Sequence, residues 1–127
     1  MTFFTVLVYN KHMKENLRPV VTVRIFAEEK CFGPGVAVLL SRVRETHSLR
    51  SAAMSIGMAY SKAWTIVKNA EKGLGFKLLD SATGGKHGGG ATLTPQAEAI
   101  LPAYEHYCAA VREYANTLFA ETFQNIP

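Results

Sequence analysis

Between Arg50 and Asn69 the chain gathers eight side chains that donate or exchange hydrogen bonds: Arg50, Ser51, Tyr60, Ser61, Lys62, Thr65, Lys68 and Asn69. Their chemistry is that of polyanion recognition. Lysine and arginine neutralise phosphates, hydroxyls and amides bond phosphates or base edges, and a threonine methyl can touch a thymine methyl. Lys62 can donate to guanine O6 and N7, and Ser61 can bond several base edges. Lys68 and Asn69, further along, suit the backbone. Arg50 and Ser51 fall where a helix N-terminus adds its own amides to a phosphate contact. Tyr60 is open between backbone contact and packing, and Trp64 is expected in the core. Lys86 and His87 ride on a second site, a loop with five glycines between residues 84 and 90, where they could follow a groove or a phosphate.

Aiming such donors requires a rigid helix, and Ser48–Gly75 (SLRSAAMSIGMAYSKAWTIVKNAEKGLG) supplies one. Counted from Leu49, Ala53 is fifth, where a crossing helix leaves room only for a small side chain. Gly57 is ninth, at a turn where a left-handed backbone costs glycine least. Ala52, Ile56, Met58, Ala63 and Ile66 occupy the inward positions of a helix-turn-helix, which sends its second helix into a major groove. Ser48 should cap the first helix, about Leu49 to Ile56, and Ser61 or a neighbour the second, about Tyr60 to Lys72, with Gly73 and Gly75 ending it. Leu74 and Phe76 are then expected to return to the core.

The flanks supply the rest of the fold. Val20 to Ala27 alternates in character and predicts a half-buried strand, with Cys31-Phe32 pairing back briefly. Gly33-Pro34-Gly35 opens a helix whose stripe is Val36, Leu39, Leu40 and Val43. Lys77–Thr83 and Ala91–Thr94 are strand-like runs around the glycine loop, a hairpin in the place of a wing. Thr94 caps and Pro95 starts a final helix of about 25 residues, with Pro102 one turn inside. Its apolar stripe runs from Ala97 to Phe119, longer than so small a domain can cover. A second chain should therefore cover Tyr104, Tyr107, Val111, Leu118 and Phe119; the alternative is a stripe folded back on its own domain. The expected fold is mainly α with a small β-sheet, a winged helix-turn-helix with a long C-terminal dimerisation helix. Residues 1–17 form an irregular extension (Met13 is a plausible alternative start), 18–94 the winged domain and 95–127 the long helix and tail.

Charge supports this division. Residues 42–90 hold eight Lys or Arg against Glu45, Glu71 and Asp80, a net of +5, within a chain of net +4. Residues 91–127 hold Arg112 against four glutamates, a net of −3. A basic middle and an acidic tail suit a duplex-binding surface followed by something else.

Other chemistries fail on spacing. A phosphate-binding P-loop needs glycine at Asp80 and Ser or Thr at His87, and a dinucleotide fingerprint needs glycine at Val38. His12, His47, His87 and His106 have no metal-ligand spacing, and no carboxylate pair accompanies a histidine, so no enzyme, metal or cofactor is expected. Cys31 and Cys108 are read as reduced, packed thiols. The longest apolar run, Phe3–Tyr9, is too short to span a bilayer and lacks a secretory signal's flanks, which points to a cytoplasmic protein without membrane attachment.

Three segments carry a specific resemblance: Cys31–Gly35 (CFGPG), Met58–Trp64 (MAYSKAW) and Thr83–Pro95 (TGGKHGGGATLTP). With the order of elements around them they resemble the N-terminal domain of molybdate-responsive regulators, the ModE family, over about residues 18–122; LysR-type regulators share the layout more distantly. The resemblance implies a winged helix-turn-helix that dimerises through its last helix and represses or activates promoters. Family members continue into small β-barrels that bind molybdate, and their ligand residues have no counterparts before Pro127. The expectation is a stand-alone DNA-binding regulator, one working with a separate sensor protein, or a fragment, that does not itself bind molybdate. Two other readings stay open: a winged-helix protein-interaction module, and a sensor of molybdate or tungstate using the glycine loop as an anion nest.

Overall fold

The computed structural model describes residues 17–82 and 90–126. In chain order the elements are β1 (Ile25–Phe26), β2 (Lys30–Phe32), α1 (Pro34–Thr46), α2 (Leu49–Ser55), α3 (Tyr60–Leu74), β3 (Leu79–Ala82), β4 (Gly90–Leu93) and α4 (Pro95–Phe123). The fold is mainly α, with two separate two-stranded antiparallel sheets among the described residues, β1–β2 and β3–β4. Contacts divide the chain into one unit spanning Thr22–Tyr107 and another joining residues up to Val21 with those from Cys108 onward.

Within Thr22–Tyr107, local sequence signals set most boundaries. Pro34 opens α1 with its fixed φ, and Val36, Leu39, Leu40 and Val43 are its buried stripe, as the spacing requires. His47 closes α1 in the left-handed conformation, φ 58°. Ser48 then caps α2, its Oγ accepting from the Ser51 amide at 3.1 Å. Gly57 makes the turn at φ 69°, a conformation that strains any side chain with a Cβ. Leu39, Val43, Leu49, Ala52, Ala53, Ala63, Val67 and Ala91 form the central cluster, with Ile56, Met58 and Ile66 packed against it. All the small and apolar positions expected of a helix-turn-helix thus face inward.

The hairpin docks on this core by backbone as well as side chain. β3 and β4 pair from Leu79↔Leu93 to Ala82↔Gly90, and the Ala91 amide donates to the His47 carbonyl at 2.8 Å. Thr94, itself buried, donates its hydroxyl to the Lys77 carbonyl at 2.7 Å and accepts from the Ala97 amide at 3.1 Å, so one side chain closes the hairpin and caps α4. Ala97, Leu101 and Tyr104 are the buried residues of α4. Tyr104 meets Phe32 edge-on at 5.0 Å between centroids and donates its hydroxyl to the Val23 carbonyl at 2.7 Å.

Several local expectations need correction. The strand over Val20–Ala27 shrinks to Ile25–Phe26, and both residues are exposed. The alternation was real, but neither face finds a surface to bury, and Val20 stands 76% exposed. α3 is not capped by Ser61: the cap position is Ala59, which makes no side-chain bond. α3 also runs through Gly73 and ends at Gly75, φ 83°. Gly73 has a steric duty instead, since a Cβ there would fall 2.4 Å from the Cβ of Cys31. Leu74 and Phe76 are only half-buried, and Leu78 is the residue that returns fully to the core. Cys31 and Cys108 are both free thiols.

In the second unit, α4 continues through Phe123, and the rings of Phe119 and Phe123 meet at a tilt of 37° with centroids 4.7 Å apart. Tyr114, Leu118 and Phe123 are exposed. No helix among the described residues is long and apolar enough to cross a membrane.

Candidate nucleic-acid interface

α3 has two opposed faces. Ala63, Val67 and Ala70 are buried, with Ile66 half-buried beside them. At 3.6 residues per turn the opposite side must carry Ser61, Thr65, Lys68 and Lys72, all exposed, with Lys62 and Asn69 along one border and Tyr60 and Trp64 along the other. Every candidate that the sequence put on α3 therefore lies on its accessible side. Thr65 donates its hydroxyl back to the Ser61 carbonyl at 3.0 Å, so its hydroxyl is spent within the helix.

The first turns of α2 and α3 meet at this surface. Arg50 lies over the Tyr60 ring, its Cζ 4.3 Å from the centroid, and Tyr60 still stands 39% exposed. Ser51 is exposed, and its amide is taken by Ser48. Lys86 and His87 lie outside the described residues, as does the glycine tip that carries them.

Two features were missed or misplaced by the sequence. Trp64 is not a core residue: it is 49% exposed on the α3 border nearer the hairpin, with Lys68 Nζ 5.6 Å from its ring centroid. Lys68 is also paired with Glu71 at 3.3 Å, so it is less free for a phosphate than a lone lysine. Glu71 is the second feature. Its side chain is only 11% exposed, and its Oε2 accepts from the Leu78 amide at 2.7 Å and the Leu79 amide at 3.3 Å. One carboxylate thus ties α3 to the first strand of the hairpin. Nothing local in the sequence marks it. Lys72 was legible in principle, because it continues the Ser61–Thr65–Lys68 spacing. Asn69 and Lys72 flank a cleft of about 300 Å³ against the β1–β2 turn.

Of the residues expected to meet a second chain, Tyr107 and Leu118 are exposed, and Val111 and Phe119 are half-buried. Tyr104 is the exception, since ring and hydroxyl are engaged within Thr22–Tyr107.

A tri-helical core, a tight glycine turn, a half-exposed basic second helix and a two-stranded hairpin define a winged helix-turn-helix. Residues 37–98 match the family described as "Bacterial regulatory helix-turn-helix protein, lysR family". The chain is 39% identical over 66 residues to the molybdenum-pterin-binding protein MopB of Rhodobacter capsulatus, covering 52% of this chain and 24% of that protein. It is 30% identical over 95 residues to the transcriptional regulator ModE of Yersinia pestis, covering 75% and 34% respectively. Against the DNA-binding transcriptional dual regulator ModE of Escherichia coli K12 it is 30% identical over 79 residues, 61% of this chain and 30% of that one. Over these stretches the chain is similar to the helix-turn-helix domains of lysR-type and ModE regulators. The matched stretches span about a quarter to a third of the length of these relatives.

Proposed function

We propose that this chain is a DNA-binding transcriptional regulator that reads duplex DNA through α3 and works in the cytoplasm as a homodimer. The observation that carries the reading is the two-faced α3: a buried apolar side fixes the helix in a helix-turn-helix, and the other side presents Ser61, Lys62, Thr65, Lys68, Asn69 and Lys72 together. In this assignment Lys62 and Ser61 meet base edges, and the Thr65 methyl meets a thymine. Arg50 and Ser51 meet phosphate at the start of α2, and Lys86 and His87 extend the contact from the wing.

Dimerisation is supported by the exposed apolar side chains of Tyr107, Tyr114, Leu118 and Phe123. Burying several large side chains at about 1.5–3 kcal/mol each would hold such a pair together. Pairing also enlarges the site, because one helix reads only a few base pairs and two-fold symmetry repeats them about 34 Å apart. A separate sensor protein is one route by which such a regulator could receive its signal.

Selection of genomic fragments on the immobilised full chain, followed by footprinting, tests the reading. The expected result is a two-fold symmetric site one helical turn between half-sites. Lys62→Ala should lose discrimination among sequences while retaining general affinity. Recovery of no enriched fragment would overturn the proposal.

A further inference from the structure

The border of α3 nearer the hairpin carries two aromatic rings, each with a cation over it: Arg50 on Tyr60 at 4.3 Å and Lys68 on Trp64 at 5.6 Å. Trp64 also lines a cleft of about 120 Å³ whose other walls include Tyr60, Lys68, Leu79, Ser81 and Ala91, that is, α3 on one side and the hairpin strands on the other. Trp64 and Tyr60, 49% and 39% exposed, together form an aromatic patch within a basic surface. Glu71 fixes its surroundings, since the same carboxylate holds Lys68 and the β3 backbone. Lys68 is thereby committed, to Glu71 and over one part of the Trp64 ring, and the rest of the half-exposed indole faces solvent at this border.

We propose that Trp64 is a DNA-contacting residue that packs its ring against a deoxyribose of the strand passing between α3 and the wing and donates its Nε1–H to the adjacent phosphate. The proposal rests on the reading of α3 as the DNA-facing helix. The chemistry fits the sugar–phosphate strand better than the bases. An indole has an apolar face for a sugar and one donor for a phosphate oxygen, whereas paired bases in a duplex offer no free face to stack on. The positive surroundings of Arg50, Lys68 and Lys72 bring that strand to the cleft.

Trp64 is the only tryptophan of the chain, so its fluorescence reports this contact alone. The chain is titrated with the selected duplex while binding is followed independently by anisotropy of a dye on the DNA. The expected result is a blue-shifted, quenched emission and a several-fold fall in acrylamide quenching. Binding by anisotropy with unchanged emission and unchanged acrylamide quenching would overturn the Trp64 contact and leave the regulator reading standing. Absence of any duplex binding would overturn both. Trp64→Ala is expected to weaken selected and scrambled duplexes alike by about tenfold, matching partial loss of one buried aromatic. The log–log salt slope should stay unchanged, because no charge is removed, and Trp64→Phe should recover part of the affinity. Wild-type affinity in Trp64→Ala, loss confined to the selected sequence, or tighter binding to single strands than to duplex would each contradict the proposal.

Discussion

The two halves of α4 solve opposite problems with one helix. From Pro95 to Tyr104 its apolar residues are spent inside the winged domain: Ala97 and Leu101 are fully buried, and Tyr104 nearly so. From Glu105 through Ile126 no residue is buried, although Tyr107, Tyr114, Leu118 and Phe123 are as apolar as those before them. Apolar side chains recur along both halves. What differs is whether a neighbouring element supplies a surface, and that depends on residues far away in sequence, such as Phe32 and Val23 beneath Tyr104. The first half finds its surface within this chain, and the proposed partner would supply one for the second.

The sharpest way to break that contrast is to truncate one residue from each half. Leu101→Ala should lower unfolding stability by about 2–5 kcal/mol in a denaturant titration, the usual cost of a cavity at a buried leucine. Leu118→Glu should change the unfolding of dilute protein by less than about 0.5 kcal/mol, as for an exposed site, yet convert a sedimenting dimer to monomer at micromolar concentration. A Leu118→Glu protein that sediments like wild type would remove the reason for assigning the second half to a partner.

A smaller effect is expected where α3 is strapped to the hairpin. Glu71→Ala leaves the Leu78 and Leu79 amides without their acceptor, at a cost of about 1–3 kcal/mol. Glu71→Gln, which keeps an acceptor but loses the charge, should cost less. Equal stability of all three proteins in thermal melts would contradict the strap. Smaller still, Tyr104→Phe removes one hydroxyl bond to the Val23 carbonyl and should cost about 1 kcal/mol, with the Phe32 contact retained.

What was legible in the sequence was local. Ser48 and Thr94 announce their helices because a cap bonds amides only three residues away. The α1 stripe and the inward set around Gly57 follow from helical period alone. The misreadings have the opposite character. Trp64 is a core residue by type, but the helical period set by Ala63, Val67 and Ala70 puts it at the α3 border. Glu71 reads as an ordinary surface carboxylate until the hairpin backbone arrives beside it. Gly73 reads as a helix stop, and its duty comes from Cys31, on a strand more than a whole helix-turn-helix away. The Val20–Ala27 alternation met the pattern for a strand but not the requirement for a partner. The candidate DNA-facing residues on α3 were found because period and core residues together fix which side remains free.

The claim that this free side meets duplex DNA is tested most directly by the salt dependence of binding. Affinity of the full chain for its selected duplex, measured by anisotropy across a series of salt concentrations, should fall with a log–log slope of several units, since each neutralised phosphate releases about 0.9 of a counterion. Lys86→Ala should reduce that slope and weaken all sequences similarly, whereas Lys62→Ala should narrow the gap between selected and scrambled duplexes. A slope near zero, with both variants binding like wild type, would contradict the assignment of this surface to DNA.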